Sequence, residues 1–312
     1  MARFSTATLF FLVFAYVPAH GANILFFVGI TNYSHRMAMW PLVQALADRG
    51  HSVTFLSAHP PGPLAHAKVT EVIPTSVVEM MKKFQDTDLL GRRLRNEDET
   101  VLWTDVAELS IMAYEALAED EEFLKWFHDD STNFDLVFID AAYSEFAFGI
   151  AHKSGAKFAI ISTTHPYMWM LDDYGVPVES SWLPDMALRY AEEEDMTLIQ
   201  RMVNAIQPVR WHLHRHYSYL PRIDKILREK LGLRDMPPIG EYQKNVSLVL
   251  TNSHFVEEYG RSQPPLIVPV GGMNCFNNIA PCLPKVHTLL NFHSRQLGGT
   301  KSNCLCRTWN NS

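Results

Sequence analysis

The side chains best suited to acid–base chemistry in this sequence are His35 and Asp140. His35 closes the turn 29–35, which follows an apolar run at 23–30, and Asp140 ends a second apolar run at 135–140. A carboxylate beside an imidazole fixes the tautomer of the ring and favours its protonated form. That is the arrangement of a general base that removes a proton from a hydroxyl. A lone histidine at a helix start is more often a cap or a surface residue, so the prediction depends on the two side chains meeting.

The surrounding pattern indicates how they would meet. Residues 23–30 are typical of a strand buried on both faces, residues 35–49 have helical spacing and end at Gly50, and residues 52–57 form a second strand. Further strands are predicted at 69–73, 135–140, 157–162, 246–250 and 266–270, helices at 97–128, 144–153 and 186–231, and a long loop at 164–185. This alternation predicts an α/β fold with a doubly wound, mostly parallel, Rossmann-like sheet. Ligands bind beyond the carboxyl ends of such strands, and His35 and Asp140 would touch if the first and fourth strands are neighbours.

Composition excludes several functions. The chain has 312 residues and a formal net charge of -7, without a basic stripe, which argues against nucleic-acid binding. Hydrophobic residues make up 47% of the chain, enough for a large core. The first turn has one glycine and neither G-x-G-x-x-G nor a Walker pattern, which argues against a nicotinamide, flavin or ATP site. An NAD-dependent oxidoreductase therefore fits the fold class but lacks its fingerprint.

The N-terminus predicts entry into the secretory pathway. Arg3, the apolar stretch 9–17 and a small-x-small pattern at 19–21 make residues 1–21 a signal peptide. We expect the mature protein in the endoplasmic reticulum lumen or secreted. No later segment is long and apolar enough for a membrane helix, so no anchor is predicted.

Two further patterns are candidate sites. Sequons begin at Asn32 and Asn245, and we expect a glycan on Asn245 but not on Asn32, where it would obstruct the turn before His35. His212 and His216 share a face of a predicted helix, but no acidic or cysteine ligand is near them in sequence. We therefore predict a surface helix there and no metal site.

Several short segments, in order along the chain, resemble one family. They are SHRM at 34–37, LADRGHSVT at 46–54, FDLVFID at 134–140, LVLTNSH at 248–254, VGGM at 270–273 and LPK at 283–285. Together they look like the UDP-glycosyltransferases of animals, arthropod members above all. The resemblance runs from the signal peptide to about residue 285.

The resemblance implies the two-domain GT-B fold, with an N-terminal acceptor domain and a C-terminal domain that binds the UDP-sugar. It implies that His35 is the base that deprotonates the acceptor, that Asp140 is its partner, and that transfer inverts the anomeric centre. The co-substrate is a UDP-sugar, and neither a cofactor nor a metal is implied. Residues 22–274 would be the acceptor domain, the N-terminal half of the GT-B fold, and residues 275–312 an irregular tail unlike the family. The family's donor motif, donor domain and membrane helix are not found in the sequence.

The resemblance also implies a small lipophilic acceptor that carries a hydroxyl. Methionine and aromatic side chains suit a pliable apolar pocket, although any one of them is more often ordinary core. The candidate acceptor-binding residues are Tyr33, Ser34, Met37, Phe84, Tyr143, Met168 and Trp169. Two functions stay open: an enzyme that transfers a hexose from UDP to such an acceptor, or a non-catalytic lipophile-binding fragment that associates with full-length relatives and modulates them.

Overall fold

The computed structural model describes residues 21–84, 95, 100–188, 196–254, 263–273 and 275. Apart from Cys275, these residues belong to one compact unit, Met1–Asn274. The predicted signal peptide, except Gly21, and the predicted tail, except Cys275, lie outside the described residues.

A parallel sheet organises the described chain. Its seven strands are β1 (Asn23–Val28), β2 (Ser52–Ser57), β3 (Val69–Val72), β4 (Leu136–Asp140), β5 (Lys157–Ser162), β6 (Leu248–Thr251) and β7 (Ile267–Pro269). Their order across the sheet is β3-β2-β1-β4-β5-β6-β7, and every neighbouring pair is parallel. The predicted doubly wound α/β fold is therefore confirmed, and the first and fourth strands are neighbours.

Helices cover both faces of the sheet. They are α1 (Tyr33–Asp48), α2 (Thr75–Phe84), α3 (Thr100–Leu117), α4 (Glu121–His128), α5 (Ala147–Ser154), α6 (Met168–Asp173), α7 (Leu198–His214), α8 (Leu220–Glu229) and α9 (Ile239–Tyr242), with a π-helical turn at Arg215–Tyr219 and a 3-10 turn at Gln243–Asn245. None of the helices found in the described ranges has both the length and the apolar character needed to cross a bilayer.

The prediction of a continuous loop at 164–185 was wrong in part. Helix α6 occupies Met168–Asp173 inside it and ends before Gly175, which has a φ of 69°. Pro166 and Pro177 lie on either side of α6, so they bound the helix and do not interrupt it. This short helix brings Met168 and Trp169 into the core.

The apolar run of β1 is explained by burial on both faces. Ile24, Phe26 and Val28 pack in one apolar cluster with Trp40 of α1. Leu25 and Phe27 alternate with them and pack in a second cluster with residues of α3 and α5. Burying one Phe or Ile side chain is worth about 1.5–3 kcal/mol. The strand that leads to His35 is thus held rigidly at the centre of the sheet.

We expect Gly29→Ala, just after β1, to lower the free energy of unfolding by about 1–3 kcal/mol. A Cβ at this position would lie 2.2 Å from the hydroxyl of Tyr114. That hydroxyl is fully buried and donates a 2.6 Å hydrogen bond to the carbonyl of Tyr143, so it has little room to move. Urea denaturation measures the loss.

Tyr114→Phe is the matched background for this test. It removes the oxygen that the new methyl group would meet, so Gly29→Ala should cost less in Tyr114→Phe protein than in the wild type. Equal costs in the two backgrounds would show that the close approach to Tyr114 is not the reason for glycine.

Candidate active site

The candidate site lies where the strand order of the sheet reverses, between β1 and β4. Asp140 is the last residue of β4, and His35 stands in the first turn of α1, directly after β1. Nδ1 of His35 lies 2.7 Å from Oδ2 of Asp140. Two residues that are 105 positions apart in sequence are therefore in contact. This reversal point is the place where open α/β sheets form a crevice for ligands.

Asp140 is held in place by two further hydrogen bonds. The Thr31 hydroxyl donates to Oδ2 at 2.9 Å, and the backbone N–H of Ala142 donates to Oδ1 at 3.1 Å. The Asp140 side chain is 1% exposed, whereas that of His35 is 18% exposed. The carboxylate is thus fixed below the surface, and the imidazole above it stays accessible to a ligand.

The contact with Asp140 determines which ring nitrogen of His35 is available. An ionised carboxylate only accepts hydrogen bonds, so Nδ1 of His35 carries the donated hydrogen and the neutral ring keeps its lone pair on Nε2. Thr163, which follows β5, places its hydroxyl oxygen 3.4 Å from Nε2. Asn252, after β6, donates a 3.2 Å hydrogen bond to the Thr163 carbonyl. The carboxyl ends of β1, β4, β5 and β6 therefore all contribute to one site.

An ion pair between a buried arginine and a partly exposed glutamate fixes the helix that carries His35. Arg36 is fully buried and donates two hydrogen bonds to Glu71, at 2.9 and 2.5 Å. Its guanidinium also lies 4.5 Å from the ring centroids of Trp40 and Phe55. Such a two-pronged, stacked arginine resists rotation of α1 about its axis. His35, the preceding residue, is thereby held over Asp140.

Three of the predicted acceptor-binding residues lie on the first turns of α1. Tyr33 is half-buried and donates a 2.9 Å hydrogen bond from its hydroxyl to the Pro61 carbonyl. Ser34 is exposed, and Met37 exposes 50% of its surface. These side chains are on the same helix as His35 and are within reach of solvent, but their role in binding an acceptor remains a prediction.

Of the other predicted acceptor-binding residues, three are buried, and the side chain of the fourth is not among those that the structure describes. Tyr143, Met168 and Trp169 are all at most 5% exposed, and the rings of Tyr143 and Trp169 stack with centroids 5.9 Å apart. Burial raises the pKa of the Tyr143 phenol, so this side chain stays neutral. Phe84 ends α2, but its side chain is outside the described residues. Tyr143, Met168 and Trp169 belong to one buried core cluster, and their proposed contact with an acceptor also remains a prediction.

The family model described as "UDP-glucoronosyl and UDP-glucosyl transferase" matches residues 24–288, which is most of the chain. The chain belongs to this family. The match confirms the resemblance read from the short motifs and includes both His35 and Asp140.

Individual relatives of this family member are distant. It is 23% identical over 268 residues to UDP-glycosyltransferase UGT4 and 27% identical over 266 residues to UDP-glucosyltransferase 2, both of Dactylopius coccus. These alignments cover 82% of the chain and 50% and 48% of the two relatives. The ecdysteroid UDP-glucosyltransferase of Choristoneura fumiferana defective polyhedrosis virus is 24% identical, with coverage of 81% and 51%. The chain spans about half the length of the curated relatives it matches.

Among solved structures, the calicheamicin glycosyltransferase CalG4 is similar to this chain at 16% sequence identity and a TM-score of 0.44. The alignment covers 80% of this chain and 53% of the CalG4 chain. LpCGTa in complex with UDP is similar at 13% sequence identity and a TM-score of 0.34, and the alignment covers 81% of this chain and 53% of the LpCGTa chain.

A second buried polar network in this UDP-glycosyltransferase family member escaped the sequence analysis. Arg215 lies between Glu145 and Asp173, with its Nη2 2.5 Å from an oxygen of each carboxylate, and its Nε donates to Asp173 at 2.8 Å. The Tyr219 hydroxyl donates to the second oxygen of Glu145 at 2.7 Å. All four residues are at most 6% exposed. Glu145 stands five residues after Asp140, so this network fixes the segment that presents the candidate catalytic carboxylate.

The opposite charges in this network together shift the pKa values of Arg215 and Asp173 more than burial does. Burial alone lowers the pKa of Arg215, but the neighbouring Asp173 and Glu145 raise it well above its usual value. Burial raises the pKa of Asp173, yet Arg215 and the nearby His216 leave it below its usual value. The described structure therefore holds one guanidinium between two buried carboxylates. No simple sequence pattern reports such a cluster, because its members come from three separate segments.

Proposed function

We propose that the chain is the acceptor-binding half of a UDP-glycosyltransferase that attaches a hexose to a hydroxyl of a small lipophilic molecule. The observation that carries this proposal is the 2.7 Å contact between His35 and the buried Asp140 at the reversal point of the sheet. The family membership supplies the class of reaction, and the site supplies a base that is both oriented and accessible.

Nε2 of His35 takes the proton of the acceptor hydroxyl while the oxygen forms a bond to the anomeric carbon. The bond from that carbon to the UDP oxygen breaks, and UDP leaves with the electron pair. Attack opposite the leaving group inverts the anomeric centre. Asp140 stabilises the imidazolium that forms, because a carboxylate next to the ring favours its charged form.

The acceptor class follows from the surroundings of His35 and from one relative. Met37 exposes half of its surface two residues from the base, and a flexible thioether adapts to varied apolar molecules. One relative is named for ecdysteroid as its substrate, an apolar ring system with several hydroxyls. A lipophilic alcohol suits both observations.

A chimera tests the proposal, because the UDP-sugar needs a donor half. Residues 22–273 would replace the corresponding part of UDP-glycosyltransferase UGT4, and UDP release would be measured with UDP-glucose and a panel of steroid and phenolic alcohols. We expect turnover with at least one alcohol and an inverted anomer in the product, read by NMR. A folded chimera that binds UDP-glucose but releases no UDP with any alcohol would contradict the proposal and favour a lipophile-binding role.

We also propose that the protein is glycosylated in the secretory pathway at Asn245. This residue is exposed in the 3-10 turn before β6 and begins a sequon. Expressed in insect cells, the protein should lose apparent mass on endoglycosidase treatment, and Asn245→Gln should remove that change. Asn32→Gln is the matched control, because a glycan beside the His35 turn would block the site. A mass change that survives in Asn245→Gln would overturn this assignment.

A further inference from the structure

A second cluster of ionisable side chains lies on α6 and α7. Oδ2 of Asp172 is 2.7 Å from Nδ1 of His212 and 3.9 Å from Nε2 of His216. All three atoms lie within 4.8 Å of one another. The sequence placed the two histidines on one helix face but offered no acidic partner nearby. The fold supplies one from α6, 40 residues before His212.

These separations suit a tetrahedral metal ion. Zinc binds imidazole nitrogen and carboxylate oxygen at about 2.0–2.2 Å, which puts neighbouring ligand atoms of a tetrahedron about 3.3 Å apart. The distances of 2.7 and 3.9 Å from Asp172 to the two rings fall on either side of that value. Rotations that move each ring by about half an ångström would bring the three atoms into coordination geometry.

A second observation points to a cation at this place. Asp173 is 3% exposed, and its Oδ1 makes no hydrogen bond to the described residues, although it lies 3.4 Å from Nε2 of His216. Arg215 already pairs with Oδ2 of Asp173 at 2.5 Å, so Oδ1 is the oxygen of this buried carboxylate that still lacks a donor. Asp173 and the three candidate ligands line a cavity of about 670 Å³, together with Asp224 and Glu241. The cavity gives an ion a path of entry and leaves space for a water as fourth ligand.

We propose that Asp172, His212 and His216 bind a zinc ion that joins α6 to α7. The two helices also contact each other through aromatic rings: α6 carries Trp169, whose ring centroid is 4.9 Å from that of Trp211 of α7. A metal at this position holds the two helices together on the side where they are open to solvent. The site is separate from His35 and does not depend on the proposed transfer reaction.

The test uses the untagged chain, freed of metal by a chelator. Titration with zinc is followed by calorimetry, and titration with cobalt by the visible absorption that tetrahedral Co²⁺ acquires on binding nitrogen and oxygen ligands. We expect one ion per chain. His212→Gln and His216→Gln should each weaken binding about 100-fold or more, because even partners that only touch a metal ligand are worth 10–100-fold. Asp172→Asn should do the same if either histidine variant fails to fold.

His152→Gln is the matched control. His152 has a side chain that is 22% exposed, like that of His216, and contacts a single carboxylate, that of Asp235, at 3.3 Å. It should keep wild-type affinity, and metal-free thermal unfolding should be alike for all folded variants. Wild-type protein that binds zinc no more tightly than His212→Gln, or that gives no tetrahedral cobalt spectrum, overturns the proposal.

Discussion

Replacing His35 with alanine is expected to lower kcat for sugar transfer about 10²–10⁴-fold in a chain that is joined to a donor half. The imidazole supplies Nε2 as the base, held by the 2.7 Å contact of Nδ1 with Asp140. Without it the acceptor hydroxyl has to lose its proton to water. The Kd of the acceptor, measured by calorimetry without donor, should stay within a factor of about two, since the removed ring acts on the proton in the transition state.

Two measurements separate a catalytic role of His35 from a structural one. His66 has nearly the same side-chain exposure, 19% against 18%, and contacts Asp48 at 3.3 Å, so His66→Ala is a matched control that should keep kcat. Raising the pH should partly restore turnover of His35→Ala, because more of the acceptor is then deprotonated without a base. Wild-type turnover in His35→Ala would remove this residue from the mechanism.

The contact between His35 and Asp140 could be predicted from sequence because two general rules locate both residues at the same edge of the sheet. Apolar runs before each residue identify buried parallel strands, and ligands collect at the carboxyl ends of such strands. Thr31 and Thr163 stand at strand ends as well, yet threonine is common in turns and nothing in its type indicates a partner. Their roles depend on rotamers and on the register of β1, β4 and β5, which the sequence pattern does not specify.

Helix α7 shows where hydrophobic periodicity fails. Leu198 is 75% exposed and Ile206 62% exposed, whereas Asn204 is fully buried on the opposite side of the helix. Asn204 donates to the Leu183 carbonyl at 2.7 Å and accepts from the Asp185 N–H at 2.8 Å. The inward side of α7 is thus selected by hydrogen bonds to an irregular segment, and a rule that buries apolar stripes assigns the wrong face.

The stretch predicted to be mostly helical, 186–231, is helical from Leu198 to Glu229, whereas residues 186–188, 196 and 197 lie outside the helices. Its middle widens into a π-helical turn at Arg215–Tyr219, which ends shortly before Pro221, a residue without an N–H to continue the ladder. Both Arg215 and Tyr219 point inward there and bind Glu145. Periodicity predicted the existence of the helix, but its local geometry follows from a tertiary ion pair.

Arg215→Met is expected to lower the free energy of unfolding by about 3–5 kcal/mol, the usual cost of removing one partner of a buried ion pair. Methionine fills similar space but leaves the carboxylates of Glu145 and Asp173 buried without their cation. Arg222→Met is the surface control. Its Nη1 lies 2.6 Å from Glu108, but its side chain is 44% exposed, and exposed pairs are worth about 0–1 kcal/mol.

The missing positive charge, and not the lost packing, should account for most of the free energy of unfolding that Arg215→Met loses. Glu145→Gln in the Arg215→Met background removes one unpaired carboxylate and should recover part of the stability. Acidification should act in the same direction: burial raises the pKa of Asp173 and Arg215 opposes this, so without Arg215 the Asp173 carboxyl binds a proton more readily in the folded variant than in the unfolded chain, and the deficit shrinks as the pH falls towards about 5. Urea denaturation at several pH values measures both effects. A deficit that is independent of pH and of Glu145→Gln would mean that Arg215 stabilises the segment carrying Asp140 by packing alone.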